Sequence, residues 1–213
     1  MTPFFPSPSL AVGYLVACVL LAATPGADMA LFLSRTLAGG RGQGFAAQAG
    51  ANAGLVVHTF AAALGLSALL AASATAYQTV KIAGALYLLW LAWKAVRHGT
   101  ALNLSAEGGA GSLRRAFLNG LLINLTNPKI VLFFVTFLPQ FIDARDPHAG
   151  AKLFALGFGF IAITTMVNAA VILVAGRFVA AAKANPRALR AFDYGFAALM
   201  SAFALRLAWS EAR

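Results

Sequence analysis

Six stretches of the chain are dominated by apolar residues: Leu10 to Leu33, Phe45 to Leu70, Tyr77 to Val96, Ala116 to Phe141, Leu153 to Gly176 and Ala191 to Trp209. Each is close to the roughly 20 residues that carry a helix across a hydrocarbon core. From Gly42 to Val80 there is no Lys, Arg, Asp or Glu. That stretch is about twice the spanning length, so it must fold back on itself, with Ala71 to Gln78 as the tight return. The glycines of Gly39-Gly40-Arg41-Gly42-Gln43-Gly44 punctuate the end of the first stretch. His98 to Ser112 mixes Gly, Ser, Asn and Glu107 without periodicity, the pattern of a flexible connector.

The pattern predicts an all-α integral membrane protein of six transmembrane helices. It reads as a single membrane domain over 1–213, with repeat one at 1–97, a linker at 98–115 and repeat two at 116–213. The first and fourth stretches are interrupted by Pro25 and Pro128. A proline removes an intrahelical hydrogen bond, and a bilayer span keeps one mainly where the opened backbone lines a polar cavity. Leu20 to Pro25 can be set against Ile123 to Pro128, and Gly84 against Gly195. Three spans per half is an odd number, so a second copy would enter the membrane from the opposite side. That gives two inverted three-helix repeats with Pro-broken helices 1 and 4, an arrangement secondary transporters use.

Composition narrows the class. With 61% hydrophobic and 10% charged residues and a mean hydropathy of +0.80, the chain lacks the polar side chains to cover a water-facing surface. Met1 to Ser9 contains no Lys or Arg, so the first stretch reads as a retained span rather than a signal peptide. The single cysteine, Cys18, excludes a disulfide framework and a CxxC redox centre. The formal charge of +10 falls in short clusters between apolar segments, not in a basic stripe, so no nucleic-acid partner is implied. Arg35, Arg41, Lys94, Arg97, Arg114, Arg115, Arg177, Lys183, Arg187 and Arg190 gather on one face of the six-span scheme. Lys81, Arg145, Lys152, Arg206 and Arg213 fall on the other. The richer set belongs inside, which leaves both termini outside the cytoplasm.

Candidate chemistry lies in the polar residues within the spans. Asp28 has no acidic neighbour in sequence before Glu107. At a helix centre it costs about 2.5–3.5 kcal/mol to insert, so it should face a cavity or a cation. Lys129 is the matching cation, and together they would hold the two ends of a zwitterion near the opened backbone. The plainer alternative is that Asp28 caps the continuing helix while Lys129 reaches the interface. Gln48 and Asn52, with Thr59, share one face of the second span, whereas Gly50 and Gly54 with His58 mark another that reads as close helix packing. His58 is a candidate for proton coupling together with Asp28, although a lone histidine in an apolar helix also serves as a hydrogen-bonded structural residue. Thr164 and Thr165 read as hydroxyls bonded back to their own helix. Asn168 is the better lining candidate. Tyr87, Trp90 and Trp93 read as packing and interface anchors.

Thr24-Pro25-Gly26-Ala27-Asp28, Asn127-Pro128-Lys129 with Phe133-Phe134 and Pro139-Gln140-Phe141, and Gly84 to Leu88 with Trp90 follow one another along nearly the whole chain. In these motifs the chain resembles the LysE/RhtB family of bacterial amino-acid exporters, departing at Ala27, where a second proline is usual. The resemblance implies an inner (plasma) membrane permease that exports amino acids on the proton motive force. It also implies Pro25, Gly26, Asp28, Asn127, Pro128 and Lys129 as site positions. No cofactor is expected.

From Met29 to Ala106 there is no second carboxylate to receive a cationic side chain. A neutral substrate of the threonine, homoserine or branched-chain type is therefore favoured. The expected partners are that amino acid and the lipid bilayer, and the small-residue faces leave room for a homodimer. An intramembrane enzyme would need a nucleophile with its base, or clustered His and carboxylate ligands, and the motifs provide neither. A metal or ion exporter would need several acidic or sulfur ligands. A non-transporting membrane subunit is the remaining alternative.

Overall fold

The computed structural model describes residues 8–66, 74–98, 111–142, 146 and 148–209, and all the regular structure among them is helical. The first stretch forms α1 (Pro8–Ala23) and α2 (Ala27–Gly39), bent by 48° at the residues around Pro25. Gly40, at φ 82°, turns the chain directly into α3 (Arg41–Phe60). Only glycine takes that conformation without strain. The glycine-rich segment is thus a one-residue corner, and the second helix begins at Arg41, not at Phe45. After Phe60 the helix widens into a π-helical stretch, Ala61–Leu66.

α4 spans Ala74–His98. The proposed return at 71–78 therefore lies partly outside the described residues and partly in the first turn of α4. Most of the linker, 99–110, also lies outside them. The second half starts as α5 (Leu113–Thr126), whose first turn is capped by the Ser112 hydroxyl accepting the Arg115 N–H at 3.2 Å. Residues 113–115, assigned to the linker, are already helical because of that cap. α6 (Pro128–Leu132) follows a 52° bend and runs on through a π-turn and a 3₁₀ turn to Phe141. Then come α7 (Ala149–Leu173), α8 (Ala175–Ala184) and α9 (Pro186–Trp209). α8 occupies most of the interval between the fifth and sixth apolar stretches, and its Ala-rich sequence favours helix.

By length and composition, α7 and the Pro186–Leu205 part of α9 can each cross a membrane, and among the described residues these make two candidate spans, or up to four if each bent pair is one span. α3 falls short on composition because it carries Gln43, Gln48, Asn52 and His58. It is also the most enclosed helix, packed against α2, α5 and α7, so its polar groups meet protein. The outer faces, by contrast, show bare apolar side chains such as Leu15, Leu86 and Met166. Trp90 and Trp93 are exposed beside Lys94 and Arg97, whose cations lie 5.1 and 5.7 Å from the ring centres. Amphipathic aromatic and basic pairs of this kind suit the membrane–water boundary.

Glycines set how closely α3 and α5 approach. A Cβ on Gly50 would stand 1.9 Å from the Phe117 carbonyl oxygen, and one on Gly120 would stand 1.9 Å from that of Ala47. Gly42 lies beside Leu113 and Gly54 beside Asn124, so the two helices run parallel. α7 runs antiparallel to α3, from Gly157 beside Thr59 to Ile172 beside Gly44. The proposed match of Gly84 with Gly195 does not extend to packing: Gly84 is pressed onto Thr136, whereas nothing lies within 4 Å of a Cβ on Gly195. An aromatic cluster of Phe133, Phe134, Phe137, Phe141 and Phe160, joined by Phe203 of α9, fills the core on one side of the breaks. A smaller group around Phe32, Ala47, Ala51, Ala116 and Ile172 lies on the other.

Candidate functional site

Proline has no N–H, so the carbonyl four residues before it loses its helical partner. For Pro25 that carbonyl is Leu21. It accepts instead from Lys129 Nζ at 3.3 Å, and the Thr24 carbonyl accepts from the same ammonium at 3.2 Å. The chain leaves the helix over Thr24, Pro25 and Gly26, and α2 starts with Gly26 as its extended N-cap at φ −161°. A Cβ on Gly26 would lie 3.3 Å from Lys129 Nζ, so the position suits the smallest residue.

Pro128 strands the Asn124 carbonyl in the same way. That oxygen accepts the Asn127 N–H at 3.1 Å and lies 3.3 Å from His58 Nε2. A carbonyl only accepts, so this contact assigns the proton to Nε2. Asn127 also caps α6, its Oδ1 accepting the Lys129 N–H at 3.1 Å. Its Nδ2 donates to Asp28 Oδ2 at 2.9 Å, and Asn124 Nδ2 donates to the same oxygen at 3.4 Å. Asp28 Oδ1 is buried and has no hydrogen-bond partner among the described residues.

These groups border a cavity whose walls and open mouth together enclose about 450 Å³ of space. Of the residues singled out from the sequence, Gly26, Asp28, Asn52, Lys129 and Asn168 line it, and so does Thr164, which from sequence reads only as bonded back to its own helix. The rest act around it. Pro25 and Pro128 open the backbone, Asn127 holds Asp28, and His58 meets the second break. Gln48 is turned away, donating to the Thr165 carbonyl at 2.8 Å, because α7 runs alongside this face of α3. Asn52 donates to the Thr165 hydroxyl at 3.0 Å, and Thr164 and Thr165 bond back to Phe160 and Ile161 carbonyls. Asp28 does not cap α2, since Gly26 does so with no side-chain bond, and Lys129 is held inside the fold. Although they share a cavity wall, no ion pair joins Asp28 to Lys129.

Two contributors were not anticipated. Asn124 is buried, lines the cavity and touches both Asp28 and Gly54. Its position four residues before Pro128 is the available sequence signal. The other is the backbone of Leu21 and Thr24, which residue identity does not reveal.

A cavity that carries a carboxylate and an ammonium beside two helix breaks, inside a body with apolar outer faces, fits a multi-pass membrane translocator. Family comparison agrees. The family described as LysE type translocator matches residues 19–211, and the chain belongs to it. It is 31% identical over 87% of its length to the homoserine/homoserine lactone efflux protein of Salmonella typhimurium, covering 89% of that protein. It is 32% identical to the leucine efflux protein of Klebsiella pneumoniae, with 78% of each chain covered. An uncharacterized membrane protein of Vibrio cholerae is 34% identical over 73% of this chain and 76% of its own. No solved structure matches the chain significantly.

Proposed function

We propose that the chain exports neutral amino acids of the homoserine, threonine or branched-chain type from the cytoplasm across the inner membrane. The observation that carries this reading is a carboxylate with one buried oxygen unmet, in the wall of the same cavity as a lysine ammonium it does not pair with. An amino acid brings the complementary charges. Gly26, Asn52, Asn127 and Asn168 complete the polar part of the binding site, with Pro25 and Pro128 shaping it. Leu21, Met29, Phe32, Leu55, Ile130 and Phe160 offer an apolar wall for the side chain. The cavity lining contains one carboxylate, Asp28, which suits a substrate with one ammonium. The efflux proteins named for homoserine and for leucine support the same class.

The chain works as six spans in two inverted repeats, 1–97 and 116–213, joined by the linker at 98–115. Support comes from the similar bends at Pro25 and Pro128 and from the alternating helix directions. Export is driven by the proton motive force, with Asp28 and His58 carrying the coupling. Both termini lie outside the cytoplasm, and two copies associate through small-residue faces other than that of α3, which α5 occupies. Purified protein in proteoliposomes tests the core of this reading: the parent should move leucine or homoserine, and Asp28→Asn should insert normally yet transport neither. Equal efflux by variant and parent overturns it.

A further inference from the structure

The two charged groups of the cavity are unequally committed. Asp28 uses Oδ2 for two amide donors and leaves Oδ1 buried without a partner among the described residues. An ionised carboxylate oxygen in that state demands a donor, and a charged one satisfies it best. Lys129 is in the opposite condition. Its ammonium has three N–H groups, and two of them are spent on the carbonyls of Leu21 and Thr24 that the first break exposes. A ligand carboxylate therefore finds one N–H and the neutral amides of Asn52 and Asn168, whereas a ligand ammonium finds an unmet anion.

We infer that the cavity recognises its ligand by the primary ammonium and the apolar side chain, and that a free carboxylate is dispensable. The ligand class is then wider than amino acids. It takes in amino-acid amides and esters and short branched alkylamines, and it excludes amino acids whose nitrogen is acylated. The inference rests on the export reading above and sharpens its substrate class. Lys129 spends two of its three N–H groups on the opened backbone, so its hold on a ligand carboxylate is the weaker of the two.

A panel built on one side chain separates the two ends of the ligand: leucine, leucinamide, 3-methylbutylamine, N-acetylleucine and 4-methylpentanoate. Binding is read as the rise in unfolding temperature of the purified full-length protein in detergent, and export separately as competition against labelled leucine in proteoliposomes. Leucinamide and 3-methylbutylamine should bind within about tenfold of leucine, and the two ligands lacking an ammonium about 10- to 100-fold more weakly or not at all. Asp28→Asn should abolish the response to leucinamide. Failure of leucinamide to bind while leucine does, or binding of N-acetylleucine as tight as that of leucine, overturns the inference and leaves the export reading intact. Stabilisation by the amines without leucine transport overturns export and leaves the inference standing. A panel in which nothing binds and no leucine is moved overturns both.

Discussion

At the first break three residues, Thr24 to Gly26, leave the helix, while at the second only Asn127 does. The bends are alike, 48° and 52°, but the stranded carbonyls are satisfied from different places. Pro128's break is largely self-sufficient. Asn127 supplies both the N–H for the Asn124 carbonyl and the side-chain cap for α6. Pro25's break has no such local remedy: Gly26 has no side chain, and the Leu21 and Thr24 carbonyls depend on Lys129, reaching over from the other half of the chain. One break is thus a rigid corner and the other a joint closed by a contact between halves. If the halves rock against one another during transport, the joint is where backbone satisfaction must change.

Lys129→Met tests this hardest. Methionine fills similar space but donates nothing, leaving two carbonyls unmet at a cost of about 1–3 kcal/mol each. Export should disappear and the unfolding temperature in detergent should fall markedly. A variant as stable as the parent would mean that the first break can satisfy itself, and the contrast between the breaks would dissolve.

Asn127→Ala addresses the corner. Removing an N-cap of this kind costs about 0.5–2 kcal/mol, and Asp28 would lose the nearer of its two amide donors. The Asn127 backbone N–H remains to serve the Asn124 carbonyl. The expected result is a smaller drop in unfolding temperature than for Lys129→Met, with export reduced because Asp28 is less firmly held. Equal drops for both variants would show that the two breaks lean equally on side chains.

The two breaks were also unequally legible in the sequence. Pro25 and Pro128 stand out because a proline inside an apolar stretch has a definite chemical consequence, and the charges beside them, Asp28 and Lys129, are costly enough in a membrane to demand an explanation. What each charge would touch could not be read. Lys129 bonds to backbone carbonyls, which are the same atoms in every residue, and Asn124 looks like any amide within a helix until Pro128 four residues later is taken into account. Gln48 and Asn52 share a helical face, yet only Asn52 reaches the cavity, since the position of α7 decides between them. The glycine face of α3 was readable from Gly50 and Gly54. Its counterpart Gly120 was not, because the parallel pairing of α3 with α5 joins segments from different halves.

The smallest expected effect on stability, and the sharpest test of how the corner differs from the joint, is at His58. Its ring lies 3.3 Å from the Asn124 carbonyl through Nε2 and stacks on Phe134 with ring centres 5.7 Å apart. His58→Phe keeps the stacking and removes only a polar contact to an oxygen that still accepts the Asn127 N–H, so stability should change by less than about 1 kcal/mol. Transport should separate from stability here. Imidazole ordinarily exchanges protons within the physiological range. If it couples proton movement to the second break, the variant should still exchange substrate for substrate across a membrane but lose the acceleration of net export that an imposed proton gradient gives the parent. Net export that still accelerates with the gradient would leave Asp28 as the coupling group and reduce His58 to a packing residue at a corner that does not move.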